Sequence, residues 1–237
     1  MVSILPLTLR DVSVRRRGKR LIGPVDLRLD GAGLTMILGP NGSGKTTLLR
    51  VMHGVERLSS GAVVWSVPDV QARHRQAYVF QTPIMLRRSV ADNLAYPLKL
   101  AGTLRSEVTE RTAIWAERIG LADRMSLPAP RLSGGEKQKL ALARALIRAP
   151  DVLFLDEPCA NLDGASTGEI EALLHTALAQ GTRIVMTTHN LGQAKRLGNE
   201  VIFMLRGQIH EQGLAERTFD APQTPELAAF FRGDIIP

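Results

Sequence analysis

The sequence predicts an α/β fold with a mainly parallel sheet, an antiparallel β-region toward its N-terminus and an inserted helical lobe. Three observations predict it. Short apolar runs, Leu34–Leu38, Val152–Leu155, Arg183–Thr187 and Val201–Leu205, have the length and continuity of strands covered on both faces. Helical patterns alternate with them, as parallel strands require. From Thr82 to about Arg148 the pattern turns mostly helical.

Taken in order, Leu7–Val14 and Pro24–Leu29 read as strands of the β-region. Between them lies the densest basic run, Arg15-Arg16-Arg17 with Lys19 and Arg20. Gly18 in its middle marks a solvated hairpin turn. The strand Leu34–Leu38 runs into a glycine-rich turn and a helix, Thr47–Met52. Gly61–Val67 and Gln76–Phe80 add strands; Val90–Leu100 and Ser106–Ile119 read as helices, with loops at Leu121–Arg124 and Pro128–Pro130. An apolar helix, Lys137–Arg148, comes next, and Pro150 opens another strand. Gly164–Gln180 is helical, with Ala165, Ile170, Leu173, Leu174 and Leu178 on its apolar face. Gly207 turns the last hairpin into a strand near Gln208–Glu211. There is no internal repeat.

Two segments carry phosphate chemistry. Gly39-Pro40-Asn41-Gly42-Ser43-Gly44-Lys45-Thr46, continued by Thr47, fits G-x-x-x-x-G-K-[ST] between a strand and a helix. Its glycines let backbone N–H groups turn inward onto phosphate oxygens; Lys45 reaches the β- and γ-phosphates, and the Thr46 hydroxyl faces Mg²⁺. Asp156 and Glu157 close the strand Val152–Leu155, at the carboxyl end where such sheets bind ligands. Asp156 is placed to hold Mg²⁺ and Glu157 to act as general base on water. A third segment, Leu132-Ser133-Gly134-Gly135-Glu136, opens a helix with the capping box S-x-x-E. Two glycines in a first helical turn cost up to about 1 kcal/mol each relative to alanine. They suit a backbone that a second body approaches closely.

These segments resemble the ATP-binding cassette family, specifically the ATPase subunit of a transporter, over nearly the whole chain. Six motifs stand in family order: the phosphate loop, a glutamine loop at Gln81, the signature Leu132–Glu136, the acidic strand end Asp156-Glu157, the loop Asn161-Leu162-Asp163, and His189. The resemblance implies a P-loop NTPase fold in a single domain over 1–237. A RecA-like core with β-region takes 1–81 and 150–237, and a helical signature subdomain takes 82–149. It implies ATP and Mg²⁺ as ligands. It implies a homodimer in the ATP-bound state, with each ATP between one phosphate loop and the Ser133, Gly134, Gly135 and Glu136 turn of the other copy. Gln81 contacts Mg²⁺ and the attacking water, Asp163 shapes the dimer contact, and His189 meets the γ-phosphate. Alone, Gln81 is a polar residue ending a strand and His189 opens a helix. The expected catalytic set is Glu157, His189, Gln81 and Lys45; the metal set is Thr46, Gln81 and Asp156.

The resemblance also implies partners. Transmembrane permease subunits supply the channel, and a periplasmic binding protein acts through them. The apolar run Ile84-Met85-Leu86 is the expected docking surface. The stretch Phe80–Leu100 is similar to cassettes of oxyanion importers of tungstate or molybdate type; lipid or peptide export stays open. The other class is a soluble cassette ATPase acting on nucleic acid or ribosomes. The span from Lys45 to Ser133 leaves little room for the insertions such proteins carry, and no nucleic acid is expected. A regulator without turnover is disfavoured by Glu157 and His189. One position departs from the family: Arg16 stands where an aromatic often stacks on adenine. A guanidinium plane can stack too, and weak selectivity between ATP and GTP is expected.

Bulk properties agree. The chain has 237 residues, 44% of them hydrophobic, enough for a sizeable core. No apolar run reaches the ~18 residues of a membrane span. The start, Met1-Val2-Ser3-Ile4-Leu5-Pro6, lacks the charged opening of a signal peptide. The single cysteine, Cys159, excludes an internal disulfide. A cytoplasmic location, peripheral on the inner face of the membrane, is expected. The net charge of +7 is compatible with phosphate-rich surfaces and decides nothing alone.

Overall fold

The computed structural model describes residues 3–234. Met1 and Val2, on which the expectation about a signal peptide partly rests, lie outside them, as do 235–237. The strands β1 (Leu7–Arg16) and β2 (Lys19–Leu29) form a hairpin. Its two-residue turn is Arg17-Gly18, both at positive φ (51° and 78°), the twist that matches paired strands. The basic run therefore extends both strands, two residues past the expected Val14. After β3 (Leu34–Leu38) come α1 (Lys45–His53), β4 (Ser60–Val64), α2 (Asp69–His74) and β5 (Gln76–Val79). Next are α3 (Val90–Leu100), α4 (Arg105–Arg118), α5 (Gly134–Leu146), β6 (Val152–Asp156), α6 (Gly164–Ala179) and β7 (Arg183–Thr187). The chain continues with α7 (Leu191–Leu197), β8 (Glu200–Leu205), β9 (Gln208–Leu214), α8 (Ala215–Asp220) and α9 (Pro225–Arg232).

Two sheets result. One is antiparallel, in the order β2-β1-β4. The other has six strands in the order β5-β6-β7-β3-β8-β9, parallel except for β9. Every residue of β3, β6 and β7 is buried, which is why these strands are mainly apolar, the buried Thr35, Asp156, Arg183 and Thr187 apart. Helix α1 is packed between the sheets. Its Leu48, Leu49, Val51 and Met52 share one apolar cluster with Leu9, Ile22, Val152 and Phe154. On the other face, α5, α6, α7, α8 and α9 cover the parallel sheet. The helices α3, α4 and α5 enclose a cluster of their own around Leu94, Val108, Ala116 and Leu140.

The differences from expectation are local. The strand expected over Gly61–Val67 ends at Val64, and the short helices α2, α8 and α9 were not anticipated. The signature helix begins at Gly134, three residues before the apolar periodicity sets in, because its cap is polar.

His53 ends α1 with its ring edge-on to Tyr78 and Phe154, at centroid distances of 5.2 and 5.8 Å. Burial first, then the Arg73 charge, pushes its pKa down from 6.5 to about 4. The unfolded chain therefore takes a proton on His53 near pH 6.5, before the folded chain does. This contribution to stability is present above that pH and is lost as the pH falls toward about 4. Lowering the pH from 7 to 5 is expected to cost about 2 kcal/mol through this group. Urea denaturation at the two pH values checks it, and His53→Phe should flatten that part of the pH dependence.

Candidate functional site

The carboxyl ends of β3, β6 and β7 meet at one cavity of about 770 Å³. Asn41, Gly42, Gly44, Lys45, Thr46, Thr47, Gln81, Glu157 and His189 line it, with Leu21 at the side. The loop after β3 is shaped by close packing. A Cβ on Gly39 would meet Met204 O at 2.2 Å, and one on Gly44 would meet the Ile22 side chain at 2.5 Å, so neither position tolerates a side chain. Gly44 precedes α1 with no side-chain cap, and no acid occupies the first turn of the helix. The leading N–H groups and the positive end of the helix dipole are left for an anion.

Lys45 is 7% exposed, and its Nζ donates to Gly39 O at 2.8 Å and Pro40 O at 3.1 Å. Burial lowers its pKa, against the pull of Glu157 and Asp156. Pro40 O also accepts from Ser43 N at 3.2 Å, which closes the loop on itself. Asp156 is 3% exposed. Its Oδ1 accepts from Thr46 Oγ1 and from Thr187 Oγ1, each at 2.9 Å, and its Oδ2 accepts from Tyr78 OH at 3.2 Å. Hydroxyl and carboxylate oxygens side by side suit Mg²⁺, which takes few protein ligands and keeps water or phosphate oxygens for the rest.

Glu157 comes next, in the left-handed region at φ 46°. A non-glycine residue costs ~1 kcal/mol there. The conformation is held by Thr187, which receives the Glu157 N–H on Oγ1 at 2.9 Å and on its carbonyl at 3.2 Å. Glu157 Oε2 accepts from Gln81 Nε2 at 3.2 Å and lies 3.2 Å from His189 Nδ1. The histidine side chain is 66% exposed and the carboxylate 16%, so this trio sits at the cavity mouth.

The signature turn lies apart from this cavity. Ser133 and Gly134 are placed at the start of α5, and Gly134 is exposed; Ser133 caps the helix in the full capping box: its Oγ accepts from Glu136 N at 3.3 Å, and Glu136 Oε2 accepts from Ser133 N at 2.9 Å. The Ser133 N–H is the main cause holding the Glu136 carboxyl below its ordinary pKa. The two glycines differ. A Cβ on Gly134 would meet nothing within 4 Å, whereas one on Gly135 would meet Ser166 Oγ at 2.9 Å. Gly135 thus answers to a contact within its own chain, and only Gly134 keeps open space outside. Asp163 caps α6, accepting from Ser166 N at 2.7 Å, which lowers its pKa.

Arg16 does not line the cavity. Its guanidinium pairs with Glu56 at 3.2 Å, which ties the hairpin to the end of α1. Leu21 stands at the cavity wall instead. Thr187 and Tyr78 were not anticipated. The only trace of Thr187 in sequence is a polar residue closing an apolar strand, and Tyr78 reads as an ordinary strand aromatic.

The family description "ABC transporter" matches residues 22–160. The tungstate uptake system ATP-binding protein of Peptoclostridium acidaminophilum is 35% identical over 210 residues, 87% of this chain and 98% of that one. A phosphate import ATP-binding protein of Natronomonas pharaonis is 33% identical, covering 92% of this chain and 84% of its own length. The histidine/lysine/arginine/ornithine transport ATP-binding protein of Salmonella typhimurium is 30% identical, covering 99% and 100%. Among solved structures, the ATP binding subunit of an ABC transporter superposes with a TM-score of 0.84 at 22% identity, over 96% of this chain and all of that one; it speaks for the fold. The cbiO1 structure from Clostridium perfringens, part of an ABC transporter complex, matches with a TM-score of 0.81 at 26% identity, over 91% of this chain and 90% of that one. Among the described residues no helix is long and apolar enough to cross a membrane. ATP-binding subunits of this family bind ATP, normally with Mg²⁺, and hydrolyse it. The matched span and these relatives establish that the chain belongs to the ABC transporter family, as an ATP-binding subunit with ATPase activity.

Proposed function

We propose that this chain powers the import of a small solute, an oxyanion such as tungstate, through a separate membrane permease. The observation that carries the ATPase half is the convergence of Gln81 and His189 on Glu157 Oε2, each at 3.2 Å, at the mouth of the cavity that holds Lys45 and Thr46. Glu157 takes the proton of the attacking water, while Gln81 and His189 orient that water toward the γ-phosphate. Lys45 exchanges its two loop carbonyls for phosphate oxygens. Thr46 and Asp156, with Gln81 at the cavity mouth, would hold Mg²⁺, which would supply neutralisation of the charge that develops on the phosphates. The oxyanion assignment is supported by the names of the tungstate and phosphate relatives.

Glu157→Gln should lower turnover at least tenfold, since a general base is worth about 10²–10⁴ in rate. ATP binding should be largely kept, and ATP-bound dimer should accumulate on size exclusion. Near-normal hydrolysis would remove Glu157 from this role.

The second half of the reading is a homodimer closing on two ATP molecules, in a self-complementary interface. The exposed turn at Ser133-Gly134 supports it, with open space in front of Gly134. Gly134→Val should leave the folded monomer intact and still binding ATP, yet weaken ATP-dependent dimerisation at least tenfold. Unchanged dimerisation by light scattering would exclude the turn from the interface.

The permease is read onto a groove of about 390 Å³ lined by Phe80, Ile84, Leu86, Tyr96 and Arg144. Ile84 is 62% exposed there, and Met85 packs inward against the helical cluster. Ile84→Glu is expected to abolish uptake of labelled tungstate in cells while the purified subunit keeps its basal ATPase rate; full uptake would refute this docking site.

A further inference from the structure

Asp156 is held from three directions, and only one of the three donors, the Thr46 hydroxyl, has a part in the hydrolysis mechanism. The Thr46 hydroxyl comes from the phosphate loop and the Thr187 hydroxyl from the tip of β7; both reach Oδ1 at 2.9 Å. Tyr78 comes from β5, on the opposite side of β6, and donates to Oδ2 at 3.2 Å. Its placement is set by the sheet. Strands β5 and β6 are parallel, with Tyr78 opposite Phe154. Residues two apart on a strand share a face, so Tyr78, Phe154 and Asp156 share one side of the sheet. That side faces α1, because Tyr78 and Phe154 both pack on His53.

The ring is gripped before the hydroxyl is considered. Phe80 lies against it at a centroid distance of 4.6 Å and His53 at 5.2 Å, and the Arg50 guanidinium lies beside it. A phenylalanine would fill the same space, so packing does not call for the oxygen. The phenol O–H instead donates to the carboxylate, at 3.2 Å from Oδ2.

We propose that Tyr78 is a positioning residue for the metal-bearing carboxylate: its hydroxyl pins Oδ2 and stops the Asp156 carboxylate from rotating, so that Oδ1 stays beside the Thr46 hydroxyl. This rests on the reading of Asp156 and Thr46 as the Mg²⁺ pair. Without the phenol the carboxylate gains freedom about its last torsion, and part of the gain in nucleotide affinity that Mg²⁺ brings is lost. Partners that orient metal ligands typically govern 10–100-fold in affinity. A single neutral donor at 3.2 Å belongs at the lower end, about tenfold.

The test compares binding of the non-hydrolysable analogue AMP-PNP in saturating Mg²⁺ and in EDTA, for the full chain, Tyr78→Phe, Tyr78→Leu and Asp156→Asn. The measured quantity is the factor by which Mg²⁺ tightens binding, a coupling that a merely structural role leaves alone. Tyr78→Phe should reduce that factor about tenfold, with metal-free affinity unchanged and a lowered thermal midpoint, because the buried Asp156 loses one of its three hydroxyl donors. Tyr78→Leu should reduce the factor equally and melt lower still, since it also loses the ring contacts. An unchanged factor in Tyr78→Phe, with the factor reduced in Asp156→Asn, overturns the positioning role and leaves the metal pair standing. An unchanged factor in Asp156→Asn overturns the metal pair, and the positioning role with it. Equal weakening with and without Mg²⁺ in Tyr78→Phe makes Tyr78 a packing residue and likewise overturns the proposal.

Discussion

Two buried charges at the tips of parallel strands are the constraint on which the rest depends. Lys45 lies just past the tip of β3 at 7% exposure, and Asp156 ends β6 at 3%. An ion taken out of water costs several kcal/mol unless it is paired and hydrogen-bonded. Lys45 meets that cost with two loop carbonyls, Asp156 with three hydroxyls. The strand order sets this up, because β6, β7 and β3 are consecutive neighbours, so the phosphate loop, the acid and Thr187 come to one edge of the sheet. The glycines answer to the same crowding. With Gly39 against a backbone carbonyl and Gly44 against Ile22, the loop wraps the ammonium instead of standing off from it.

A second constraint acts at α5. Its Leu140, Ala143 and Ile147 flank belongs to the helical cluster, while Ala141, Leu142 and Leu146 belong to the sheet cluster. One helix therefore carries two apolar faces and joins the helical lobe to the core. Its N-terminal turn is held against α6 twice, by the Gly135 approach to Ser166 and by the Lys139–Glu169 ion pair at 2.6 Å. Ser166 is also the residue that Asp163 caps. The signature turn and the Asp163 loop are thus one packed unit, and the polar capping box leaves Gly134 outward without any apolar surface to bury.

Much of this was legible in sequence, for physical reasons that differ from part to part. The inner strands could be read because burial on both faces writes itself as short, mainly apolar runs without alternation. The phosphate loop and the signature turn could be read because backbone geometry restricts them to glycine, lysine and capping residues. Short α2 and the strand end at Val64 could not, since half-exposed segments have weak periodicity. The purpose of Gly135 was not legible, because Ser166 is distant in sequence. Arg16 illustrates the same limit: its alignment with a base-stacking position is a matter of order along the chain, while its pairing with Glu56 depends on where α1 ends in space. Thr187 and Tyr78 act through hydrogen bonds to a residue on a neighbouring strand, which a linear reading does not contain.

The segment after β5 connects these parts. Among the described residues β5 is the edge strand of its sheet and pairs only with β6, so little backbone pairing restrains the chain beyond its end. The restraint comes from side chains instead. Arg144 of α5 donates to Ile84 O at 2.7 Å and to Asn93 Oδ1 at 3.2 Å, and Asn93 in turn accepts the Leu86 N–H at 3.0 Å. Three residues before Ile84, Gln81 reaches Glu157 at 3.2 Å. Burial lowers the pKa of the Arg144 guanidinium, a sign that it works away from bulk water, where its hydrogen bonds are stronger. The groove segment is therefore anchored to the helix that begins with the signature turn, and its leading residue touches the carboxylate beside the phosphate loop. The exposed groove is thus joined by direct contact to the cavity mouth through Gln81 at one end and to α5 through Arg144 at the other.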